Sequence, residues 1–201
     1  MNGLPIVISG PSGCGKTTLS KFILDSSSSM MESVSYTTRP PRMGEEDGVN
    51  YHFVSTDQFN DMIRSGGFLE WSEVHGFKYG TGAEWVREKL SNLKDLLFVL
   101  DISGGMQLKA SIDAITILLV PPSIASLEER LVRRGTDDAD VIARRMSSAS
   151  TEISDGLKLY DYVVRNHRLE SALYDILSII RTEHIRRVDR KLINHYLLES
   201  P

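Results

Sequence analysis

Apolar positions along the chain are grouped into short runs that alternate with helix-compatible segments. Runs at residues 4–9, 96–101 and 115–120 have the length of single strands, and a helical segment follows each of them. The second and third runs are nearly continuous rather than alternating, which is typical of strands that are buried on both faces. This arrangement predicts an α/β fold in which a central parallel β-sheet is flanked by helices.

The segment 34–82 differs from the rest of the chain, because its candidate strands, at 50–54 and 68–74, are shorter and it contains several aromatic residues. Two helix-starting motifs in it pair a hydroxyl with a carboxyl or an amide three residues later: Ser55 with Gln58, and Thr81 with Glu84. Such pairs satisfy free backbone N–H groups at a helix start, so they predict helices near 56–65 and 82–92. We therefore predict a small mixed α/β insertion.

A charged helical stretch begins at residue 123 and is interrupted by a polar turn at residues 135–138. It predicts two helices that form a helical lid. The segment 169–198 has apolar residues at helical spacing, which predicts a C-terminal helix. The predicted division is one domain at 1–185 followed by a helical tail: core 1–33, 83–123 and 147–185, insertion 34–82, lid about 124–146, and tail 186–201.

Composition and charge limit the class of partner. The chain has 201 residues, 41% of them hydrophobic, so one domain can bury a substantial core. Its formal charge of -4 argues against a nucleic-acid or anionic-membrane binder, which needs net positive potential. A single cysteine, Cys14, is the pattern expected in a reducing compartment. Since no apolar run approaches the roughly 20 residues that span a bilayer, we predict a cytoplasmic protein without membrane partners.

The segment 10–17 matches the phosphate-binding pattern G-x-x-x-x-G-K-S/T. Glycines in this pattern let successive backbone N–H groups turn inward around phosphate oxygens. The context fits as well, because an apolar strand precedes the pattern and the N-terminus of an amphipathic helix, which favours anions, follows it. We predict that Lys16 bridges the transferred phosphate and that Thr17 holds Mg²⁺.

Further segments carry a second, more specific pattern. They are Ser35-Tyr36-Thr37-Thr38-Arg39-Pro40-Pro41-Arg42, Gly44-Glu45, Gly48-Val49-Asn50-Tyr51-His52-Phe53-Val54, Phe68-Leu69-Glu70-Trp71, Tyr79-Gly80-Thr81, Leu100-Asp101-Ile102, Arg130-Leu131, Arg134-Gly135, Arg144-Arg145-Met146 and Tyr162 to Asn166. In this order the chain resembles the guanylate kinases, to about residue 185. The resemblance implies a P-loop kinase fold and direct in-line transfer of a phosphoryl group from ATP to GMP or dGMP with Mg²⁺, in purine nucleotide metabolism.

The resemblance also implies roles for individual residues. Those implied at ATP are Gly10, Pro11, Ser12, Gly13, Cys14, Gly15, Lys16, Thr17, Arg130, Arg134 and Asn166. Those implied at GMP are Ser35, Arg39, Arg42, Tyr51, Glu70, Tyr79, Thr81 and Asp101. Those implied in catalysis are Lys16, Arg39, Arg134 and Arg145, and those implied at the metal are Thr17 and Asp101.

Three of these positions also make chemical sense from the residues alone. Arg39 and Arg42 flank two prolines that favour an extended path, so both guanidinium groups project from one side and clamp one phosphate. Asp101 ends a buried strand, at the edge where parallel sheets bind ligands.

By resemblance, Glu70 accepts the two N–H donors of guanine, and a site built in this way is expected to reject adenine by roughly 10⁴-fold.

Two departures from the family pattern leave questions open. Ser103 stands where the family usually has a second acid, and His167 and Arg168 stand where it usually has acidic residues, next to the adenine-side Asn166. Two alternative functions therefore remain: a kinase of another acceptor, such as ribose 1,5-bisphosphate, and a non-catalytic guanylate-kinase-like binding module. Whether the chain forms a homo-oligomer through its surface or its C-terminal helix also stays open.

Overall fold

The computed structural model of the protein describes residues 3–74, 76–134 and 139–189. The strands within these ranges are β1 (Pro5–Ser9), β2 (Met30–Glu32), β3 (Tyr36–Thr37), β4 (His52–Phe53), β5 (Phe68–Val74), β6 (Phe77–Gly82), β7 (Asp95–Val99), β8 (Ile115–Val120) and β9 (Tyr162–Arg165). The helices are α1 (Lys16–Asp25), α2 (Thr56–Arg64), α3 (Ala83–Ser91), α4 (Ile102–Ser111), α5 (Ile124–Arg134), α6 (Ala139–Leu159) and α7 (Leu169–Glu183), which a π-helical turn, His184–Asp189, continues.

A five-stranded parallel sheet with the order β2-β7-β1-β8-β9 forms the centre of the fold. Successive side chains of β1 point to opposite faces, since Ile6 and Ile8 pack into one core cluster and Val7 into the other. The first cluster includes Ile23 of α1 and Ile176 of α7, whereas α3 and α4 contribute to the second. Both faces are covered, which explains the continuous apolar runs and confirms the predicted parallel sheet.

The carboxyl ends of these parallel strands meet at one edge of the sheet. The phosphate-binding segment 10–17 follows β1, Asp101 follows the neighbouring β7, and Asn166 follows β9. Ligands of open α/β sheets bind at this edge, where the chain leaves the strands. The fold therefore brings the main sequence motifs together, although they are up to about 150 residues apart along the chain.

The insertion contains a second sheet, with the order β4-β3-β6-β5, and helix α2. The predicted capping box is present at the start of α2, where Gln58 N donates to Ser55 Oγ and Ser55 N donates to Gln58 Oε1. The second predicted capping box is wrong. Helix α3 does begin nearby, but strand β6 continues through Thr81, so the N-cap is Gly82 and no side chain caps the helix. The Thr81 hydroxyl donates to Glu70 on the adjacent strand.

The predicted lid corresponds to α5 and the first part of α6. Helix α6 has 21 residues and continues well beyond the predicted lid boundary at residue 146. The predicted polar turn at 135–138 and the tail residues 190–201 lie outside the described residues, and the domain boundaries stay a prediction. Among the described helices, none combines the length and the apolar character required to cross a membrane.

Candidate active site

The P-loop, residues 10–17, connects the end of β1 to the start of α1. Gly10 has a φ of 151°, and an ideal Cβ at this position would lie 2.1 Å from the carbonyl oxygen of Leu119, so a side chain is excluded. Lys16 Nζ donates to the carbonyl oxygens of Gly10, at 2.5 Å, and of Pro11, at 3.1 Å. The Lys16 ammonium group therefore lies against the backbone of the loop.

The P-loop forms one wall of a cavity of about 740 Å³, which we call the P-loop cavity. The residues that line it are Ser12, Gly13, Gly15, Lys16, Thr17, Thr18, Arg130, Arg133, Asn166, His167 and Leu169. Three cationic side chains and the N-terminus of α1 face the same volume. Positive charge and free backbone N–H groups at a helix start favour a polyanionic ligand.

Two arginines of the lid helices are in contact with this site. Arg145 of α6 donates from Nη1 to Ser12 Oγ of the P-loop, at 2.5 Å. Arg130 of α5 donates from Nη2 to the carbonyl oxygen of Asn166, at 3.0 Å. Arg134 is the last residue of α5, and its side chain lies outside the described part of the structure. The lid is thus linked to the P-loop side of the sheet edge through α5 and α6.

A second cavity of about 260 Å³ lies between the insertion and the end of β7, and we call it the Glu70 cavity. The residues that line it are Ser35, Tyr51, Glu70, Ser72, Val74, Tyr79, Val99, Leu100, Asp101 and Gly104. Five of them were predicted site residues. The structure therefore separates the predicted residues into two groups, one around the P-loop and one around Glu70.

Glu70 is a buried carboxylate, with 5% of its surface exposed. Its Oε1 accepts a hydrogen bond from Thr81 Oγ1 across the β5–β6 pair, at 2.6 Å. Its Oε2 and the Asp101 Oδ1 atom lie 3.1 and 3.2 Å from the position that a Cβ on Gly104 would occupy. Burial raises the pKa of Glu70, the hydrogen bond from Thr81 opposes this, and the nearby Asp101 charge adds to the rise.

Comparisons with known proteins identify the family of this chain. The sequence profile of the family described as guanylate kinase matches residues 2–183. The chain belongs to the guanylate kinase family. It is 45% identical to the guanylate kinase of Anaeromyxobacter dehalogenans over 190 residues, which cover 94% of this chain and 84% of that protein. It is 46% identical to the guanylate kinase of Sphingopyxis alaskensis over 189 residues, with 92% and 84% covered.

A solved structure agrees with the sequence comparison. The crystal structure of guanylate kinase from Anaplasma phagocytophilum superposes with a TM-score of 0.74 at 27% sequence identity, covering 100% of this chain and 97% of the other. The predicted fold class, the membership of the guanylate kinase family and the assignment as a nucleoside monophosphate kinase are thereby confirmed. The comparisons give no support to the two alternative functions.

The two arginines predicted to clamp a phosphate are joined in this guanylate kinase by Glu45. Arg39 is buried and donates from Nη2 to Glu45 Oε1, at 2.8 Å, while the backbone N–H of Arg42 donates to Glu45 Oε2, at 2.7 Å. The Arg39 guanidinium carbon lies 5.4 Å from the centre of the Tyr51 ring. The hydrogen bond with Glu45 and, to a smaller extent, one with Tyr79 raise the pKa of Arg39. Arg39, Tyr51 and Tyr79 therefore lie together, whereas the Arg42 side chain is exposed.

Several residues around the two guanylate kinase cavities were not predicted. On the P-loop side they include Thr18, Arg133, His167 and Leu169, and around Glu70 they include Ser72, Val74, Val99, Leu100 and Gly104. Arg133 could have been predicted from the sequence, since it lies in the same run of basic residues as Arg130. Gly104 lies three residues after the predicted site residue Asp101, in the first turn of the helix that Asp101 caps.

The departures from the guanylate kinase pattern lie at the surface. Asp101 is the N-cap of α4, where its Oδ1 accepts from Gly104 N at 2.7 Å, and Ser103 is exposed in the first turn of the same helix. His167 is exposed at the P-loop cavity, with Nδ1 3.3 Å from the carbonyl oxygen of Arg165. Arg168 is exposed and forms the N-cap of α7.

Proposed function

We propose that this guanylate kinase moves the terminal phosphoryl group of ATP onto GMP or dGMP by direct in-line displacement. The observation that carries the proposal is the buried Glu70 carboxylate, in a cavity formed partly by the end of β7, next to the strand that leads into the P-loop. Holding two substrates on adjacent strands converts a reaction between two molecules into one within a complex, which removes much of the entropic barrier. No covalent intermediate is required.

On the ATP side, the proposed work is positioning and charge neutralisation. Backbone N–H groups of residues 10–17 hold the phosphates, and Lys16 moves from its contacts with loop carbonyl oxygens to the phosphate that is transferred. Arg130, Arg134 and Arg145 come from the lid and neutralise the charge that spreads over the phosphoryl group. Closure of the lid and the insertion excludes water, which otherwise competes as acceptor.

On the GMP side, Glu70 accepts the two N–H donors of guanine and Ser35 donates to the base. Arg39, Arg42, Tyr51 and Tyr79 bind the phosphate, which arrives largely deprotonated and needs no general base. Thr81 was among the residues that the resemblance implied at GMP. Its hydroxyl is buried and bound to Glu70, and we propose that its main role is to orient that carboxylate.

We propose that Thr17 holds Mg²⁺ together with the phosphates of ATP. Mg²⁺ in such sites binds few protein oxygens and takes its remaining ligands from phosphate and water. Thr17 fits this chemistry because it lines the P-loop cavity, and the described residues contain no cluster of three or more His, Cys, Asp or Glu that would form a separate protein cage. Asp101 lines the other cavity and is the second proposed ligand. When bound, Mg²⁺ neutralises charge on the bridging phosphate oxygens.

We also propose that the protein acts in the cytoplasm. Its one cysteine, Cys14, is free and buried, and burial raises the pKa of the thiol. A protonated, buried thiol within the P-loop persists in a reducing compartment.

Guanosine binding is expected to weaken at acidic pH. Burial raises the pKa of Glu70 from its ordinary value of 4.5, so Glu70 takes up a proton, and loses its capacity to accept two N–H donors, at a pH above 4.5. Below the raised pKa the affinity falls by about tenfold per pH unit. Guanosine is used because the phosphate of GMP itself titrates near pH 6. Calorimetric titration at each pH measures the effect, and Glu70→Gln is expected to remove it.

Arg39→Lys is expected to raise the KM for GMP by about ten- to a hundredfold, because lysine cannot form the planar, bidentate contact with a phosphate. The affinity for guanosine is expected to stay unchanged, since Arg39 is assigned to the phosphate alone. Arg64→Lys, on the exposed face of α2, is the matched control. An equal loss of guanosine and GMP binding in Arg39→Lys would contradict the assignment.

A panel of acceptors tests the proposed function. ADP formation from ATP is measured with GMP, dGMP, AMP, UMP and ribose 1,5-bisphosphate at equal concentrations. Activity with GMP and dGMP, and rejection of AMP by roughly 10⁴-fold, are the expected results. Preferential phosphorylation of ribose 1,5-bisphosphate, or no transfer to any acceptor, would overturn the proposal.

A further inference from the structure

Asn166 connects three parts of the ATP side of the molecule. Its backbone N–H donates to the carbonyl oxygen of Val120 at the end of β8, at 2.8 Å. Its side-chain Nδ2 donates to the carbonyl oxygen of Cys14 in the P-loop, also at 2.8 Å, and its own carbonyl oxygen accepts from Arg130 of α5. Only 6% of Asn166 is exposed. The residue therefore joins the sheet, the P-loop and the lid.

The contact with Cys14 determines the orientation of the Asn166 amide. A carbonyl oxygen can only accept, so the atom that faces it must be Nδ2, and Oδ1 is the polar side-chain atom that remains for a ligand. The P-loop is shaped to admit this amide, because an ideal Cβ on Gly15 would lie 2.4 Å from Asn166 Nδ2. Gly15 also has a φ of 103°, a backbone conformation that residues with side chains rarely adopt.

The hydrogen bond restrains the part of the loop that binds phosphate. Cys14 lies between Gly13 and Gly15, both of which have a positive φ, so neither neighbour restricts the backbone strongly. The direction in which the backbone N–H groups point depends on holding this segment in one conformation. A buried side-chain donor to the central carbonyl oxygen supplies that restraint from outside the loop.

We propose that Asn166 is a positioning residue that holds the P-loop in its triphosphate-binding conformation, in addition to any contact with the base. The proposal rests on the function proposed above, because it assigns the P-loop cavity to ATP. Asn166 acts through the Cys14 carbonyl oxygen on the loop and through its own carbonyl oxygen on Arg130. Removal of the amide is expected to weaken binding of the triphosphate itself.

Inorganic tripolyphosphate with Mg²⁺ is the deciding probe, because it has the phosphates of ATP and no base. Asn166→Leu removes the donor at similar volume and without adding charge, and Asn92→Leu, at the exposed end of α3, is the matched control. Calorimetric titration is expected to show about tenfold weaker binding of tripolyphosphate in Asn166→Leu only, with GMP affinity retained. Unchanged tripolyphosphate binding, with a loss confined to ATP, would show that Asn166 serves the base alone.

The single cysteine gives a second readout that needs no ligand. Cys14 is fully buried beside the carbonyl oxygen that Asn166 binds. A loosened loop exposes its thiol, so labelling by an aromatic disulfide reagent is expected to be about tenfold faster in Asn166→Leu than in the wild type or Asn92→Leu. An unchanged labelling rate would refute the positioning role. If Asn166→Leu also lost GMP binding, Asn166→Ala would be judged by the same two measurements.

Both readouts are independent of the transfer reaction. If the acceptor panel failed, tripolyphosphate binding and Cys14 labelling would still report whether Asn166 holds the loop. If the acceptor panel showed transfer to GMP and both readouts were unchanged in the variants, the proposed function would be supported and the positioning role of Asn166 would be refuted.

Discussion

Replacement of Lys16 by methionine is expected to lower the rate of phosphoryl transfer by at least about a thousandfold. Methionine keeps an unbranched side chain but removes the charge and the three N–H donors. In the structure the Lys16 ammonium lies against the carbonyl oxygens of Gly10 and Pro11, in the loop that we propose binds the phosphates of ATP. GMP affinity is expected to stay within about twofold, because other segments of the chain line the Glu70 cavity.

Steady-state rates of ADP formation and calorimetric titration with GMP measure the two effects separately. Lys21→Met is the matched control, since Lys21 is exposed on the same helix, five residues further along. Full activity of Lys16→Met would contradict the assignment of the P-loop. Loss of GMP binding together with activity would mean that the substitution disturbs the fold rather than the transfer step.

The central sheet and the P-loop could be predicted because both are local patterns. Residues 96–101 and 115–120 are apolar at nearly every position, and short runs of this kind are typical of strands that are buried on both faces of a sheet. The P-loop needs eight consecutive residues and two flanking elements, all of which are visible in the sequence. The acceptor residues are dispersed, and they were predicted only because the order of many short segments resembles one family.

Contacts between distant residues could not be predicted in this way. Thr81 has the sequence pattern of a helix cap, but strand β6 continues through it, and its hydroxyl donates to Glu70 on the adjacent strand. Asn166 was assigned to adenine, and its contact with Cys14 depends on the pairing of β8 with β9, which places the end of β9 next to the loop. In both cases the sequence pointed to the residue, but its hydrogen-bond partner could be identified only from the three-dimensional structure.

Glu70 is expected to control the choice of nucleotide base, and the geometry explains why glutamine is a poor substitute. Thr81 Oγ1 donates to Oε1, and the other oxygen, Oε2, lies next to Gly104 in the cavity. In Glu70→Gln, the amide oxygen is expected to take the hydrogen bond from Thr81, which turns the NH₂ group toward the ligand. Guanine presents N–H donors there, so two donors face each other without an acceptor.

Glu70→Gln is therefore expected to lower kcat/KM for GMP by about a thousandfold, while the value for AMP changes little. The preference for GMP over AMP should fall by the same factor, since only the value for GMP changes. Glu73→Gln, an exposed glutamate on the same strand, is the matched control and is expected to behave as the wild type. Measurement of kcat/KM for both nucleotides decides between specificity and general damage. A misfolded variant loses activity with GMP and with AMP equally. Only a selective loss of activity with GMP therefore supports Glu70 as the residue that recognises the base.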